Sequence, residues 1–228
     1  MKVLIIIPAY NEEKNLPKLI NDIKRTCPDY DVLIVNDCST DNTKSLQLNN
    51  SITKIDLPSN LGIGGSVQTG YKYAYYNNYD IAVQVDGDGQ HDVIYIDSLI
   101  KEVTSGADLC LGSRFIDKQG FQSTKLRRIG IKYFSSLIYM VSGLKVTDPT
   151  SGFRACNKKA IKLFAKYYPT DYPEPETLVY LKRKKLCVKE VSVVMKERTS
   201  GKSSINFIKS IYYFIKVSMA VCFASMAK

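Results

Sequence analysis

Short aliphatic runs alternate with amphipathic stretches through the first half of the chain. Four of these runs are predicted strands: Val3–Ile7, Asp31–Val35, Ile52–Leu57 and Ile81–Val85. Apolar spacing predicts a helix over Asn11–Cys27, and a second helix follows from about Ser66 to Asn77. Strands that alternate with helices are typical of βαβ units, so the pattern predicts an α/β fold with a mostly parallel sheet.

The second half of the chain is less regular. Its predicted elements are helices at Tyr95–Thr104, Ile129–Val141 and Asn157–Tyr167, and strands at Leu109–Gly112 and Val188–Met195. An acidic, proline-rich element, Asp171–Glu176, precedes a helix-like stretch from Thr177. No repeat or linker divides the chain, which predicts one domain over residues 1–204 and an apolar C-terminal helix over 205–228.

The C-terminal stretch Ile205–Ala227 is apolar on nearly every face. A bilayer span needs roughly 20 largely uncharged residues, and the run after Lys216 covers only Val217–Ala227. The pattern therefore indicates a membrane-surface or partner-docking helix. A buried core helix and the stub of a longer span are the alternatives.

The composition is that of a folded globular protein, with 45% hydrophobic and 24% charged residues in 228. Six scattered cysteines and one histidine, His91, lack the spacing of a zinc site. Met1 leads directly into the first predicted strand, which predicts a chain without a signal peptide and with reduced thiols in the cytoplasm.

A formal net charge of +10 favours an anionic partner. The basic residues concentrate in three places: Lys125 with Arg127, Arg128 and Lys132; Lys182–Lys185; and Lys196 with Arg198 and Lys202. The first 100 residues are closer to charge balance, so the basic character belongs to the second half.

The segment Asp86-Gly-Asp88-Gly-Gln90 follows the fourth predicted strand directly. Two carboxylates and an amide at alternate positions can converge on one hard divalent cation, while the glycines allow close approach of a diphosphate. Ligands of open α/β sheets bind beyond the carboxyl ends of the strands, where this segment should lie. An Asp-Gly turn without a metal is the structural alternative.

Two further predicted strands end in aromatic or acidic residues. Pro8-Ala9-Tyr10 and Glu12 follow the first strand, and Asp37 follows the second. Three such strand ends predict a polar crevice rather than a packing surface. The glycines after Asn60 depart from the GxGxxG order of dinucleotide-binding proteins, which argues against NAD or FAD and favours close packing.

Seven segments in order resemble glycosyltransferase family 2, and within it the dolichyl-phosphate mannose synthase-like branch that glycosylates polyprenyl phosphates. They are IPAYNEE, VNDCSTDNT, the Asn60 glycine loop, VDGDGQH, GSRF, DPTSGFRA and ERTSGKSS, and they span about residues 3 to 204. The resemblance implies the GT-A fold, a sheet of Rossmann type flanked by helices.

The resemblance also implies roles for the donor-side residues. Pro8, Ala9, Tyr10, Glu12, Asp37 and Asp86 would bind the nucleotide. Asp86, Asp88 and Gln90 would bind Mg²⁺ or Mn²⁺, which offsets the charge that grows on the departing nucleoside diphosphate. Asp88 is therefore counted among the catalytic residues.

On the acceptor side, the residues that would surround phosphate are Arg114, Arg128, Lys132, Arg198, Lys202 and Ser204, with Glu176 as a weaker choice near the sugar. Guanidinium groups suit phosphate oxygens because they donate paired hydrogen bonds. Asp148 is the candidate base or acceptor-positioning carboxylate, and Arg114 joins it as a catalytic candidate. A sugar hydroxyl acceptor requires a base, whereas a lipid phosphate does not.

The leading interpretation is a transferase that moves a sugar, with inversion, from a UDP-, GDP- or dTDP-sugar to a polyprenyl phosphate at the inner face of the cell membrane. Its rival extends a lipid-linked or polysaccharide glycan through a sugar hydroxyl. The expected partners include the membrane surface and a small membrane protein, and a homo-oligomer stays open. Nucleic acid is not expected, because many tyrosines lie in apolar helical contexts and an acidic crevice without a metal repels phosphates. A nucleotidyltransferase is disfavoured because the first strand lacks a basic glycine-rich loop.

Overall fold

A computed structural model describes residues 1–46, 52–122, 124–197 and 207–226. Their strands form one sheet in the order β3-β2-β1-β4-β6-β5-β7. The strands are β1 (Val3–Ala9), β2 (Asp31–Asn36), β3 (Ile52–Asp56), β4 (Ile81–Gln84), β5 (Leu109–Ser113), β6 (Arg154–Asn157) and β7 (Val188–Ser192). All neighbouring strands are parallel except at β6, which is antiparallel to β4 and β5. The predicted α/β fold with a mostly parallel sheet is confirmed.

Helices cover both faces of this sheet. They are α1 (Leu16–Thr26), α2 (Gly62–Tyr76), α3 (Ile96–Thr104), α4 (Lys125–Ser142), α5 (Lys158–Lys166), α6 (Pro173–Arg183) and α7 (Phe207–Met226). Helices α1 and α3 bury one apolar core against the sheet, and the other helices bury a second core on the opposite face. The carboxyl ends of β1, β2 and β4 are left open between the two helical layers.

The first predicted helix begins later than the sequence pattern indicated, at Leu16 rather than Asn11. Asn11 has a φ of 57°, in the left-handed region that ends or precedes helices. The Glu12 carbonyl accepts the first helical hydrogen bonds, from the backbone nitrogens of Asn15 and Leu16. Residues 11–15 therefore form a loop beside the end of β1, and the regular helix starts only after them.

The proline-rich element also differs from the prediction, because α6 begins at Pro173 and not at Thr177. Proline is well suited to a first helical turn, where its missing N–H would have no partner and its φ is already helical. Glu174 and Glu176 thus lie within the first turn of α6, where carboxylates interact favourably with the helix dipole.

Strand β6 was not predicted. It has four residues, and its first residue, Arg154, is fully buried. A short run that is enclosed on both faces shows no alternation of polar and apolar positions. Its arginine also suggested an exposed position. The strand predicted over Val188–Met195 ends at Ser192, with an isolated bridge at Met195.

Helix α7 packs against α4 and α6. Val217 and Val221 are buried, whereas Tyr212 and Phe223 are exposed at 55% and 66%. The helix thus combines a core face with an exposed apolar face. Among the described helices, none is both long and apolar enough for a bilayer crossing.

Candidate active site

The ends of three parallel strands meet at one edge of the sheet. Ala9 on β1 pairs with Asn36 on β2, and Ile6 on β1 pairs with Gln84 on β4. Beyond these pairs, the Asp37 nitrogen donates to the Ala9 carbonyl at 2.9 Å. The register therefore brings Pro8 to Glu12, Asp37 and Asp86 to the same edge, as the sequence pattern predicted for a polar crevice.

The segment after β1 is held in place by side chains on both sides. The Glu12 nitrogen donates to Thr43 Oγ1 at 2.9 Å, and the Asn15 amide donates to Glu12 Oε2 at 2.5 Å. Asn11 Oδ1 accepts from the Thr40 nitrogen at 2.8 Å. Glu12 is buried by these contacts, whereas Tyr10 is 47% exposed and offers an aromatic face to a planar group.

Asp37 organises the glycine loop that follows β3. Its Oδ1 accepts from the Leu61 nitrogen at 2.7 Å, and its carbonyl accepts from the Asn60 amide at 3.1 Å. Burial raises the pKa of Asp37, and the hydrogen bonds from the Leu61 and Gly62 nitrogens oppose that shift. Asp37 therefore joins β2 to the start of α2 at the crevice.

Gly64 shows why this loop contains a glycine. Its nitrogen donates to the Thr170 carbonyl at 3.0 Å, and an added Cβ would lie 2.0 Å from the Pro169 carbonyl oxygen. No side chain fits at that distance, so α2 can approach the α5–α6 connection only through a glycine. The loop serves close packing, as expected.

Asp86 and Asp88 follow β4 at the mouth of the crevice. The Asp86 side chain is 35% exposed, and its Oδ1 accepts from Gln84 Nε2 at 3.1 Å. The Asp86 nitrogen donates to His91 Nδ1 at 3.0 Å, and Asp88 Oδ1 accepts from the Gln90 nitrogen at 3.1 Å. These bonds close a tight turn that presents two carboxylates.

The donor set of this turn fits a hard divalent cation that is shared with a ligand. Carboxylate oxygens are the ligands that Mg²⁺ prefers, and Mg²⁺ sites usually combine one or two carboxylates with substrate phosphates. The described residues contain no group of three or more His, Cys, Asp or Glu side chains placed to enclose a cation. A cation at Asp86 and Asp88 would therefore need further oxygen ligands, which a diphosphate can supply.

Gln90 makes a different contact from the one its motif suggested. Its Nε2 donates to the Lys196 carbonyl at 3.3 Å, and the Lys196 nitrogen donates to the Gln90 carbonyl at 2.9 Å. These bonds tie the aspartate turn to the segment after β7. The metal-binding role of Gln90 stays a prediction.

Arg114 and Asp148 form a buried ion pair beside the crevice. Arg114 Nε and Nη2 donate to the two Asp148 oxygens at 2.6 and 2.7 Å, and Thr150 Oγ1 lies within 3.2 Å of both side chains. Asp148 is fully buried, and its nitrogen donates to Glu190 Oε1 at 3.0 Å. In this arrangement Asp148 orients Arg114 and does not face solvent, and its role as a base or as an acceptor-positioning carboxylate stays a prediction.

Arg128 and Lys132 line an open groove of about 700 Å³ along α4. The groove carries cationic and apolar side chains together, among them Phe115, Lys125, Ile129 and Thr147. Phe115 and Thr147 are the sequence neighbours of Arg114 and Asp148. The groove therefore includes one sequence neighbour of each member of the ion pair and continues along α4.

Glu176 lies away from this arrangement. Its Oε1 accepts from the Tyr167 hydroxyl at 2.7 Å, beside a separate pocket of about 250 Å³ that Asp171 and Lys216 also line. Residues two apart in a helix point in nearly opposite directions, so Glu174 faces elsewhere. Burial raises the pKa of Glu174, and Arg154 and Asp86 are among the charges that act on it.

One residue of the site, Gln84, was not identified from the sequence, and Glu174 was left without a role. Gln84 precedes the aspartates and is a polar residue in an otherwise apolar, buried strand. A polar residue at such a position is unusual and is the signal that could have identified it. Arg154 stood within the recognised DPTSGFRA segment, but its full burial removes it from any solvent-exposed phosphate. Arg198, Lys202 and Ser204 lie outside the described residues.

Comparison with known proteins agrees with this geometry. Residues 4–164 match the family model described as Glycosyl transferase family 2. The chain belongs to this family. It is a family 2 glycosyltransferase with the GT-A fold, and the predicted resemblance is confirmed.

Among family 2 relatives, the chain is 33% identical to a UDP-N-acetylglucosamine–dolichyl-phosphate N-acetylglucosaminyltransferase of Methanococcus voltae, over 84% of each chain. It is 32% identical to an undecaprenyl-phosphate mannosyltransferase of Micrococcus luteus, over 68% of this chain and 66% of that one. A polyprenol monophosphomannose synthase of Mycolicibacterium smegmatis is 29% identical over 71% of this chain and 63% of its own length.

Among solved structures, glucosyl-3-phosphoglycerate synthase of Mycobacterium tuberculosis matches the whole chain with a TM-score of 0.76. The match covers 80% of that protein at 15% identity, which supports the fold alone. That structure contains Mn²⁺, UDP-glucose and phosphoglyceric acid.

Proposed function

We propose that this family 2 glycosyltransferase transfers a sugar from a nucleoside diphosphate to a polyprenyl phosphate, with a divalent cation at Asp86 and Asp88. The observation that carries the proposal is the continuity of two unlike surfaces. An acidic strand-end turn suited to a cation and a diphosphate is connected through Met195 to a groove that is both basic and apolar. Met195 forms bridges with His91, which follows the turn, and with Gly120, which lies between the groove residues Lys118 and Gln122. A phosphorylated lipid presents the matching pair of properties, a charged head and an apolar chain.

The donor would occupy the crevice at the ends of β1, β2 and β4. Tyr10 is exposed there for contact with the base, and Pro8, Ala9, Glu12 and Asp37 form the surrounding wall. The cation would act as a Lewis acid toward the diphosphate leaving group. Relatives that are named for UDP-N-acetylglucosamine transfer, and a similar fold that holds Mn²⁺ with UDP-glucose, support this assignment of the donor side.

The acceptor phosphate would enter from the α4 groove, close to Arg114, Arg128 and Lys132. Cationic side chains stabilise a phosphate most strongly where they donate paired hydrogen bonds. The relatives named for dolichyl and undecaprenyl phosphates support a lipid phosphate as acceptor. Arg198, Lys202 and Ser204 stay predictions for the same phosphate.

A lipid phosphate is favoured over a sugar hydroxyl because of Asp148. A hydroxyl acceptor requires a general base within hydrogen-bond reach. Asp148 is fully buried and both of its oxygens accept hydrogen bonds from Arg114. The phosphate oxygen of a lipid acceptor is already anionic and needs no such base.

Helices α4 and α7 support a position at the membrane surface. Exposed large apolar residues follow helical spacing on both: Leu126, Ile129, Tyr133 and Met140 on α4, and Tyr212, Ile215, Met219, Phe223 and Met226 on α7. Neither helix contains an aspartate or glutamate, and α4 begins with four basic residues in eight. Apolar faces with basic flanks bind anionic bilayer surfaces. A small membrane protein is the second candidate for this face.

The decisive experiment incubates the protein with Mn²⁺, a panel of UDP-, GDP- and dTDP-sugars and undecaprenyl phosphate, and detects the glycolipid by mass spectrometry. We expect one nucleotide sugar to yield a lipid-phosphate sugar. Asp88→Ala should reduce the initial rate at least a hundredfold, because the charge on the leaving group would lose its stabilisation.

Asp22→Ala on α1 provides the matched control and should leave the rate unchanged, because among the described residues Asp22 pairs with Arg25 alone, in the last turn of that helix. Transfer that survives in Asp88→Ala would contradict the cation assignment. Transfer to a sugar hydroxyl, with none to lipid phosphate, would support the rival function instead.

A further inference from the structure

The carboxylate of Asp86 is enclosed from behind by a segment that the sequence resemblance assigned to the acceptor. This segment, Ser151–Arg154, enters β6 and runs alongside the end of β4. Because β6 is antiparallel to β4, its first residue faces the last residue of β4, and Arg154 pairs with Gln84. The reversed strand therefore brings the segment to the aspartate turn.

Gly152 lies directly against the Asp86 carboxylate. An added Cβ on Gly152 would lie 2.8 and 2.9 Å from the two Asp86 oxygens and 3.0 Å from Gln84 Nε2. Side chains do not tolerate such distances, so only a glycine allows the carboxylate to take this position. The φ of Gly152 is not in the left-handed region, so the backbone conformation does not require a glycine here. The close approach of the Asp86 carboxylate does.

Phe153 and Arg154 extend the enclosure. The Phe153 ring stacks on His91 with centroids 4.8 Å apart, and His91 in turn accepts the hydrogen bond from the Asp86 nitrogen. The Arg154 guanidinium donates to the Ser151 carbonyl at 3.2 and 2.5 Å and to Thr177 Oγ1 at 3.0 Å. These contacts hold the segment rigidly against the turn.

Gln84 has an arrangement that packing alone does not explain. It is fully buried, its Nε2 donates to Asp86 Oδ1, and its Oε1 has no hydrogen-bond partner within the described part of the chain. A buried oxygen without a partner destabilises the fold, and an apolar residue of the same shape would avoid that cost. The glutamine is therefore kept for the bond that its amide donates.

We propose that Gln84 and Gly152 are positioning residues that hold the Asp86 carboxylate in the orientation needed for the cation and the donor diphosphate. The proposal rests on the proposed function, since it concerns the same cation. Groups that hydrogen-bond a ligating carboxylate fix its direction, and their loss typically reduces metal affinity by about 10- to 100-fold.

The test is a titration with Mn²⁺, followed by electron paramagnetic resonance, in separate runs with UDP, GDP and dTDP. We expect Gln84→Met to weaken Mn²⁺ binding about tenfold, while the thermal midpoint of unfolding stays equal to or above that of the unaltered protein. A role in packing alone would instead leave Mn²⁺ binding by Gln84→Met unchanged and lower its thermal midpoint of unfolding. Gly152→Ala should also weaken Mn²⁺ binding, because its Cβ displaces the carboxylate.

Gln68→Met on α2 is the matched control, since the Gln68 amide donates to the Phe164 carbonyl and not to a carboxylate. It should leave Mn²⁺ affinity unchanged. Unaltered protein that binds neither Mn²⁺ nor any of the three nucleotides would contradict the proposed function itself. Normal binding by the unaltered protein together with normal binding by Gln84→Met would overturn only the positioning role.

Discussion

At the scale of single residues, the buried pair of Arg114 and Asp148 shows how a charged group is made ready for a ligand. Removing two charges from water is costly, and this cost is offset here by two short hydrogen bonds and by the Thr150 hydroxyl. The Glu190 carboxylate accepts from the Asp148 backbone and fixes the start of the same loop. The pair therefore holds one guanidinium rigidly next to Phe115, which lines the α4 groove.

Breaking this ion pair should lower the free energy of unfolding strongly, although the pair lies at a functional site. We expect Asp148→Ala to lower the free energy of unfolding by about 3–5 kcal/mol, because it leaves a buried guanidinium without its partner. Urea unfolding measures the change. Replacing both members, with Arg114→Met and Asp148→Ala together, should restore part of the lost stability. A single variant with normal stability and reduced transfer would instead indicate that Asp148 acts as a base.

At the scale of elements, α4 and α7 form a joint apolar face. Tyr133 and Phe214 contact each other with ring centroids 4.4 Å apart, and Ser218 bonds to the Tyr133 hydroxyl at 3.2 Å. This contact joins the exposed stripe of one helix to the other helix. An apolar area of this kind on a water-soluble surface indicates an interaction site.

The face predicts binding to anionic lipid vesicles. Leu126→Glu or Met140→Glu should each weaken binding to phosphatidylglycerol vesicles, measured by sedimentation, by at least about tenfold, because each removes roughly 1.5–3 kcal/mol of apolar burial and adds a repelled charge. Tyr76→Glu on α2 is the matched control, since Tyr76 is 76% exposed and lies outside both helices. Equal binding by all variants would favour a protein partner for this face.

Much of the element order could be predicted from the sequence, but the parts that depend on long-range contacts could not. Strands β1, β2 and β4 are continuous aliphatic runs, and burial on both faces of a parallel sheet requires such runs. Strand β6 has no such signal, because its partners lie more than 40 residues away in β4 and β5 and its buried Arg154 depends on a hydrogen bond to Thr177, 23 residues away. The side of α6 that faces the crevice depends on where that helix begins.

The candidate site divides in the same way. The aspartate turn and the aromatic strand end were predicted, since both follow strands directly. Gln84 could not be assigned, because its bond to Asp86 and its partnerless oxygen depend on the exact position of Gly152. Asp148 was recognised from its motif, yet only its burial separates a positioning role from a base.

At the scale of the whole molecule, the two apolar cores contain three buried thiols. Burial raises the pKa of Cys27 to about 11, and it raises the pKa of Cys110 and of Cys156 to about 12. Cys38 and Cys187 are exposed. Three thiols are therefore held in the protonated, unreactive form inside the fold, whereas two others are accessible at the surface.

Stability should consequently fall in alkaline solution. A thiol whose pKa is higher in the folded state than its ordinary value of 9.0 contributes stability that is complete below pH 9 and is lost as the pH rises toward 12. Urea unfolding between pH 8 and 11 should show this decline. Cys110→Ala should make it shallower, and an unchanged slope in that variant would contradict the assignment.

The reversal of β6 has a consequence for how the protein can diversify. Only three residues separate Asp148 near the groove from Gly152 behind the aspartate turn, and both ends of that loop are fixed by close contacts. A substitution there would disturb both substrates at once. Preference for a new lipid can therefore arise by change along the exposed apolar faces of α4 and α7, while the loop stays constant.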